Sequence, residues 1–268
     1  MNTHGHGLPV RWLFGMPIAA VRPADVLALV ARRVVNRERL HIGVVNAAKV
    51  VNMQRDEMLR HDVLASDIIL ADGMLVVWAS RLLGRPLPER VAGIDLMFEM
   101  LRLANDQGFR VFCLGATPEV LATVMATIQR DYPRAQLVGG RDGYFTEAEA
   151  PAVLRQIAAA APDILFVAMT SPKKEQFLAA AGHALSVPVL HGVGGSFDVM
   201  AGKVERAPAA WQRLGLEWLY RVKQEPGRLW RRYLVTNTLF IGLTIRELVR
   251  HLTTRPDTRA DAGSTSER

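Results

Sequence analysis

The stretch Arg110-Val-Phe-Cys-Leu-Gly-Ala-Thr-Pro-Glu-Val120 changes character in its middle. Arg110–Ala116 is a short apolar run, the pattern of a strand buried on both faces. Thr117-Pro118-Glu119 then supplies a capping hydroxyl, a proline suited to a first helical turn and an acidic first turn. A buried strand running straight into a capped helix is the unit from which parallel sheets are built, and the same alternation recurs along the chain. Strands are expected at His41–Ala47, Asp67–Asp72, Gln136–Gly140, Asp163–Met169 and Pro188–Gly194. Helices are expected near 48–60, 74–83, 94–107, 118–130, 146–160 and 173–184, with Ser171-Pro172 and the Thr146/Glu149 capping box as further start signals. The fold class is therefore α/β: a Rossmann-like, mostly parallel sheet with helices on both faces.

In such sheets ligands bind beyond the carboxyl ends of the strands. Those ends read Asn46, Asp72-Gly73, Gly115-Ala-Thr117, Met169-Thr-Ser171 and Gly192-Val-Gly-Gly195. Small residues there let backbone approach a ligand and let helix N-termini face an anion. Gly192–Pro208, "GVGGSFDVMAGKVERAP", resembles a nucleotide loop only superficially. A P-loop needs Gly where Phe197 stands and Ser or Thr where Val204 stands, and the dinucleotide fingerprint also needs Gly at Phe197. The stretch reads either as one rim of the crevice or as a tight strand-to-helix turn.

The single cysteine, Cys113, lies in a predicted buried strand, which excludes a disulfide framework and a cysteine-based zinc site and suits a cytoplasmic protein. No secretory signal is evident, and His4 and His6 belong to a frayed terminus. Charge is unevenly placed. Residues 203–250 hold ten basic and four acidic side chains, a net of +6 out of +7 for the chain. Such a segment suits a polyanionic partner.

After Arg206-Ala-Pro208 the pattern becomes helical without strands. Leu234–Ile245 carries no charge over twelve residues, too short for the ~20 needed to span a bilayer. Arg228, Arg231 and Arg232 flank it on one side, Arg246 and Arg250 on the other. Basic residues beside Trp and Leu suit a helix lying on an anionic membrane surface; packing on the sheet or on a partner subunit is the alternative. The chain thus divides into a catalytic domain (1–205), a basic helical appendage (206–252) and a disordered tail (253–268).

Asp72 is the leading candidate for a general base, because it ends an apolar strand and Gly73 follows; a helix N-cap is the competing reading. Asp67 opens the same strand at the far end of the sheet and reads as structural. Asp95 suits a helix cap, and Arg90 suits a phosphate or an acid partner. Asp198 either positions ligand hydroxyls or caps a helix. Lys173 and Lys174 sit at a helix start, where cations oppose the macrodipole and hint at an anionic ligand. His191, alone in a strand, reads as a core residue. No Asp-x-Asp pair exists to cradle a metal, so arginines and helix N-termini would neutralise any leaving diphosphate.

These motifs, in order, resemble the WecG/TagA/CpsF family of bacterial glycosyltransferases (glycosyltransferase family 26). The matching pieces are Val45-Asn-Ala47, Ala71-Asp-Gly73, Arg90-Val-Ala-Gly-Ile-Asp-Leu96, Gly115-Ala-Thr-Pro-Glu-Val120 and Asp142-Gly-Tyr-Phe145. Ala168-Met-Thr-Ser-Pro-Lys-Lys-Glu175, Gly192-Val-Gly-Gly-Ser-Phe-Asp198 and Arg206-Ala-Pro-x-x-Trp-x-x-x-Gly-Leu-Glu-Trp-Leu-Tyr-Arg221 complete the set, from about residue 10 to residue 235. The resemblance implies an inverting transfer of a sugar from a UDP-sugar to a polyprenyl-diphosphate-linked saccharide, without metal or other cofactor. It places the protein peripherally on the cytoplasmic face of the inner membrane, in surface or exopolysaccharide synthesis. It also implies Asp72 as the base and Asn46 and Arg90 in the pocket; Gly115, Thr117, Lys174, Gly194, Gly195 and Asp198 join the substrate-binding set from their places at strand ends and helix starts. Arg221, Arg228, Arg231 and Arg232 would meet diphosphate or membrane.

Two positions depart from family members that transfer N-acetylmannosamine: Val44 replaces a usual Thr, and Lys174 a usual Gln. Lys174 would suit a carboxylate-bearing sugar such as a mannosaminuronic acid, or a phosphate; a glucose donor is also open. The alternative class is a non-catalytic nucleotide- or RNA-binding protein using the basic helices. Its aromatics fall at helical spacing rather than on a stacking platform, so no nucleic-acid partner is expected. A homo-oligomer is left open.

Overall fold

In the computed structural model, which describes residues 7–253, the chain opens with a hairpin of β1 (Val10–Leu13) and β2 (Met16–Ala19). Helix α1 (Pro23–Val35) follows, then β3 (Leu40–Val45), the short helices α2 (Ala47–Asn52) and α3 (Glu57–Leu64), and β4 (Ile68–Ala71). Two helices, α4 (Met74–Leu82) and α5 (Gly93–Gln107), lead to β5 (Arg110–Gly115). The chain continues through α6 (Pro118–Asp131), β6 (Gln136–Arg141), α7 (Ala150–Ala160), β7 (Ile164–Ala168), α8 (Lys173–Ala184) and β8 (Val189–Gly192). Only helices follow among the described residues: α9 (Ser196–Met200), α10 (Ala209–Arg213), α11 (Glu217–Gln224) and α12 (Pro226–Thr253).

The strands form one sheet in the order β1-β2-β4-β3-β8-β7-β5-β6, antiparallel only between β1 and β2. Side chains alternate across it, as the period of two requires. Leu40, Ile42, Val111, Cys113, Ile164 and Phe166 pack on one face against α1, α5 and α6. Phe112, Leu114, Leu165, Val167 and Leu190 pack on the other against α7 and α8. Val45, Ile69 and Ala71 extend that second face under α2, α3, α4 and α12.

The six expected strands are β3 to β8, each ending near its expected end; Asn46, Asp72, Ala116 and Met169 lie just past the strands they were expected to close. The N-terminal hairpin and α1 go beyond the sequence reading. The hairpin's two-residue turn puts both Phe14 (φ 53) and Gly15 (φ 71) in the left-handed region, which Asn-Gly or Asp-Gly would have advertised. Phe14 is held there by burial: its ring lies 5.1 Å from that of Phe240, and its N–H donates to the Glu247 carboxylate at 3.1–3.2 Å. The expected helix over 48–60 is two helices, because Asp56 accepts from Leu59 N at 2.8 Å and caps a new start. The Thr146/Glu149 box forms as expected, ahead of a 3₁₀ turn at Glu147–Glu149.

Helix α12 packs along α2 and buries Leu229, Thr236, Phe240 and Thr244. Its opposite face stays exposed. Helix α12 is described as far as Thr253, and the tail expected from there on, like His4 and His6, falls outside the described residues. Among the described residues no helix is long and apolar enough to cross a membrane.

Candidate active site

The middle of the sheet is where the chain reverses its build. From β3 it moves outward to β4, whereas β8 arrives at β3's other side from β7. The loops after β3, β4 and β8 therefore gather at one end of the sheet, the usual ligand position of an open α/β sheet.

Asn46 follows β3 and caps α2, its Oδ1 accepting from Lys49 N at 3.0 Å. Asp72 follows β4, and its N–H donates to Val45 O at 2.9 Å, tying the two loops together. Its carboxylate does not cap the helix that comes next. Gly73 is the N-cap of α4, without a side-chain bond, and Asp72 Oδ1 instead accepts from Gly93 N at 2.9 Å. Gly93 is the first residue of α5, so a half-buried carboxylate is held by another helix's N-terminus. Oδ2 is uncommitted among the described residues. A Cβ on Gly73 would stand 3.4 Å from Asn46 Cβ, which puts the amide and the carboxylate on adjoining loops.

The glycine loop after β8 covers a buried lysine. A Cβ on Gly192 would approach Lys174 Cδ and Leu178 Cδ1 to 2.9 Å, and one on Gly194 would lie 3.7 Å from Lys174 Nζ. Gly192 thus leaves room for the Lys174 side chain, and Gly194 and Gly195 carry the chain over it into α9. Lys174 Nζ sits 3.4 Å from Glu175 Oε1, and Lys49 Nζ donates to the same oxygen at 2.7 Å. All three side chains are buried. Burial alone would push the Glu175 carboxyl up, but the Lys49 and Lys174 ammoniums hold it down to about 2. Burial, with Lys174 beside it, pushes the Lys49 amine down to about 8, against the pull of Glu175 and Asp72. Lys173 answers the other cation expected here within the chain itself. It donates to Phe145 O at 2.9 Å and stands 4.6 Å over the Phe145 ring.

A second wall is ionic. Arg90, 13% exposed at its side chain, pairs with Glu217 of α11 at 2.5 Å and stands 3.7 Å from Asp95. Arg206 also pairs with Asp95, which is therefore no helix cap; Ala92 holds that position in α5 without a side-chain bond. Ile94, Val199, Glu205, Arg206, Glu217 and Arg221 line a cleft beside the start of α5. Arg221 is exposed on that cleft.

The remaining candidates lie further out. Gly115 ends β5, two strands from β8; at φ +116 its absent Cβ would fall 2.3 Å from Ala168 O, so close backbone approach alone requires glycine. Thr117 caps α6, with Val120 N at 3.4 Å from Oγ1. Asp198 lies in the first turn of α9 without capping it. Arg231 and Arg232 are exposed on α12; the Arg228 side chain lies outside the described residues. His191 is fully buried, Nε2 facing Gly93 O at 3.2 Å, and burial pushes it down to about 4, a neutral core residue. Burial pushes the Cys113 thiol up to about 12. Among the described residues no three His, Cys, Asp or Glu side chains gather as a metal site would require.

Sequence reading passed over Lys49 and Glu217. Lys49 is the lone charge in Ala47-Ala-Lys-Val-Val-Asn52, and an isolated cation in an apolar helix was the available signal.

Residues 11–254 match the family described as "Glycosyl transferase WecG/TagA/CpsF family". Over 193 residues the chain is 39% identical to an N-acetylglucosaminyldiphosphoundecaprenol N-acetyl-beta-D-mannosaminyltransferase of Bacillus spizizenii, covering 71% of this chain and 74% of that protein. A Bacillus subtilis protein of the same name is 42% identical over 174 residues, 65% of this chain and 67% of its own length.

Proposed function

Because the chain belongs to the WecG/TagA/CpsF glycosyltransferase family, we propose that it moves an N-acetylmannosamine unit from a UDP-sugar to a polyprenyl-diphosphate-linked saccharide. The observation that carries this reading is the Asp72 carboxylate, held at one oxygen by Gly93 N–H and with no hydrogen bond to the other among the described residues.

Asp72 takes the proton from the acceptor hydroxyl as that oxygen attacks the anomeric carbon. The bond from that carbon to the UDP oxygen breaks on the opposite face, and configuration inverts. Asn46 lies beside the base, and Arg90, just before α5, and Arg221 of α11, on the cleft beside it, stand on the side where negative charge develops on the leaving diphosphate. Gly194, Gly195, Gly115, Thr117 and Asp198 form the outer rim. The reaction uses no metal.

Helix α12 docks the enzyme on an anionic membrane at the cytoplasmic face. Leu234, Val235, Ile241, Ile245, Val249 and Leu252 are exposed on one side of it, with Arg232, Arg246 and Arg250 along a flank. That placement brings Arg231 and Arg232 to lipid phosphates and the crevice to a lipid-linked acceptor. The region from 206 onward is in this reading a functional appendage to the catalytic domain.

One observation favours a second donor. A cation buried under the glycine loop, Lys174, suits a sugar carboxylate, so N-acetylmannosaminuronate is the alternative. UDP release from a panel of UDP-sugars with an N-acetylglucosaminyl-diphosphate-lipid acceptor tests both. Turnover of the N-acetylmannosamine donor, slowed about 10²–10⁴-fold in Asp72→Asn, is expected; turnover of no UDP-sugar would end the proposal.

A further inference from the structure

Lys49 is the only charged residue of α2, and it is 9% exposed. Taking an ammonium out of water costs several kcal/mol unless partners compensate it. Three contacts do so. Its backbone N–H donates to Asn46 Oδ1 at 3.0 Å, and its Nζ donates to Val44 O and to Glu175 Oε1, each at 2.7 Å. One residue thus grips the end of β3, the Asn46 side chain and the first turn of α8. The same α8 turn carries Lys174, whose ammonium shares Glu175 Oε1 and whose stem fills the space left by Gly192. On its other side the β3 end is bonded to Asp72 through Val45 O.

We propose that Lys49 is a positioning residue for glycosyl transfer, fixing the spacing between the Asn46–Asp72 wall of the crevice and the Lys174 wall. The proposal rests on the glycosyl-transfer reading above. The ammonium acts through Asn46 and Glu175 and touches no reacting atom. A displacement of about 1 Å in such a wall costs on the order of a hundredfold in rate.

A merely structural ion pair and a positioning one respond differently when both charges are removed. Lys49→Met alone leaves the Glu175 carboxylate buried with half its partners, and loss of stability is expected. Lys49→Met with Glu175→Gln removes that lone charge, so the melting temperature returns toward that of the unmodified chain. With UDP-N-acetylmannosamine and an N-acetylglucosaminyl-diphosphate lipid as probes, kcat/KM of the double variant is expected to stay tenfold to a hundredfold low, mostly through kcat. Wild-type turnover by either variant overturns the proposal.

The unmodified chain gives a reading that needs no substitution. Facing Lys49 and its cavity are Lys174 and Glu175 of α8, Asp72 after β4, Asp62 of α3, and His41 of β3. Because burial, with Lys174 beside it, pushes the Lys49 ammonium down to about 8, it loses its proton and kcat/KM is expected to fall above about pH 8. A flat profile to about pH 9.5 overturns the proposal even if both variants unfold. Absence of turnover by the unmodified chain would instead remove the glycosyl-transfer reading itself.

Discussion

Arg90 reaches a carboxylate 127 residues further along the chain, that of Glu217, and the pair draws the C-terminal segment onto the first turn of α5. Arg90 is mostly buried, with Asp95 as a more distant second acid at 3.7 Å. Glu217→Ala is therefore expected to cost about 1–3 kcal/mol, the range for leaving a buried charged group underpaired. A lower urea midpoint with unchanged slope checks it. The same variant raises KM for the donor, because the cleft lined by Arg206 and Arg221 loses one wall.

Asp72→Asn preserves shape and keeps an oxygen for Gly93 N–H, so the melting temperature should hold. What it removes is the proton acceptor. A fall in kcat of about 10²–10⁴ is expected for a general base, with KM little changed. EDTA should leave the unmodified enzyme's rate intact, since in the proposed mechanism arginines take up the charge of the leaving diphosphate. Loss of rate with restoration by a divalent cation would contradict the metal-free mechanism.

The two faces of α12 should separate experimentally. Phe240, 2% exposed, fills the space against Phe14 and α2, and Phe240→Ala is expected to destabilise by about 3–5 kcal/mol. Ile241 and Ile245, each 53% exposed, point away from that core. Changing both to Asp should leave stability nearly unchanged and abolish flotation with phosphatidylglycerol vesicles. Retained flotation would count against docking through this face.

Acid should weaken the fold early. Burial pushes both His41 and His191 down to about 4, while an unfolded chain protonates them near 6.5. The unfolded state then binds more protons between those values, so stability falls as pH drops from about 6.5 to 4. Each histidine contributes roughly 2 kcal/mol of loss by pH 5. Glu175, held down to about 2, adds a further loss between about 4.5 and 2. Melting temperatures at pH 7.5 and 5.0 should therefore differ; equal values would show that the histidines are not buried as described.

The parallel core was legible because most of its strands are short apolar runs followed by small or capping residues, as at Leu114-Gly-Ala-Thr-Pro118. Asn46, Asp72 and Gly194 were legible for the same reason, since they stand at strand ends. Other features depend on partners distant in sequence. The Phe14-Gly15 turn carries no strong turn chemistry and is stabilised by α12. Lys49 shows in sequence only as an isolated cation in an apolar helix, and its partner Glu175 comes from α8. Lys173 and Asp95, read as an anion-binding cation and a helix cap, are satisfied by Phe145 and by Arg206. The Asp56 cap and the first-turn proline Pro23, by contrast, were available locally and mark where the helices at 57–64 and 23–35 begin.

The bond from Phe14 N–H to Glu247 spans 233 residues, and it bears on how the protein is made. A ribosome adding about 5–20 residues per second needs on the order of 10–50 seconds to cover that distance. During that interval the first hairpin is outside the tunnel while the helix that seats it does not yet exist. The sheet edge that emerges first is the last to be sealed, and a chaperone acting on the nascent chain would find its target there.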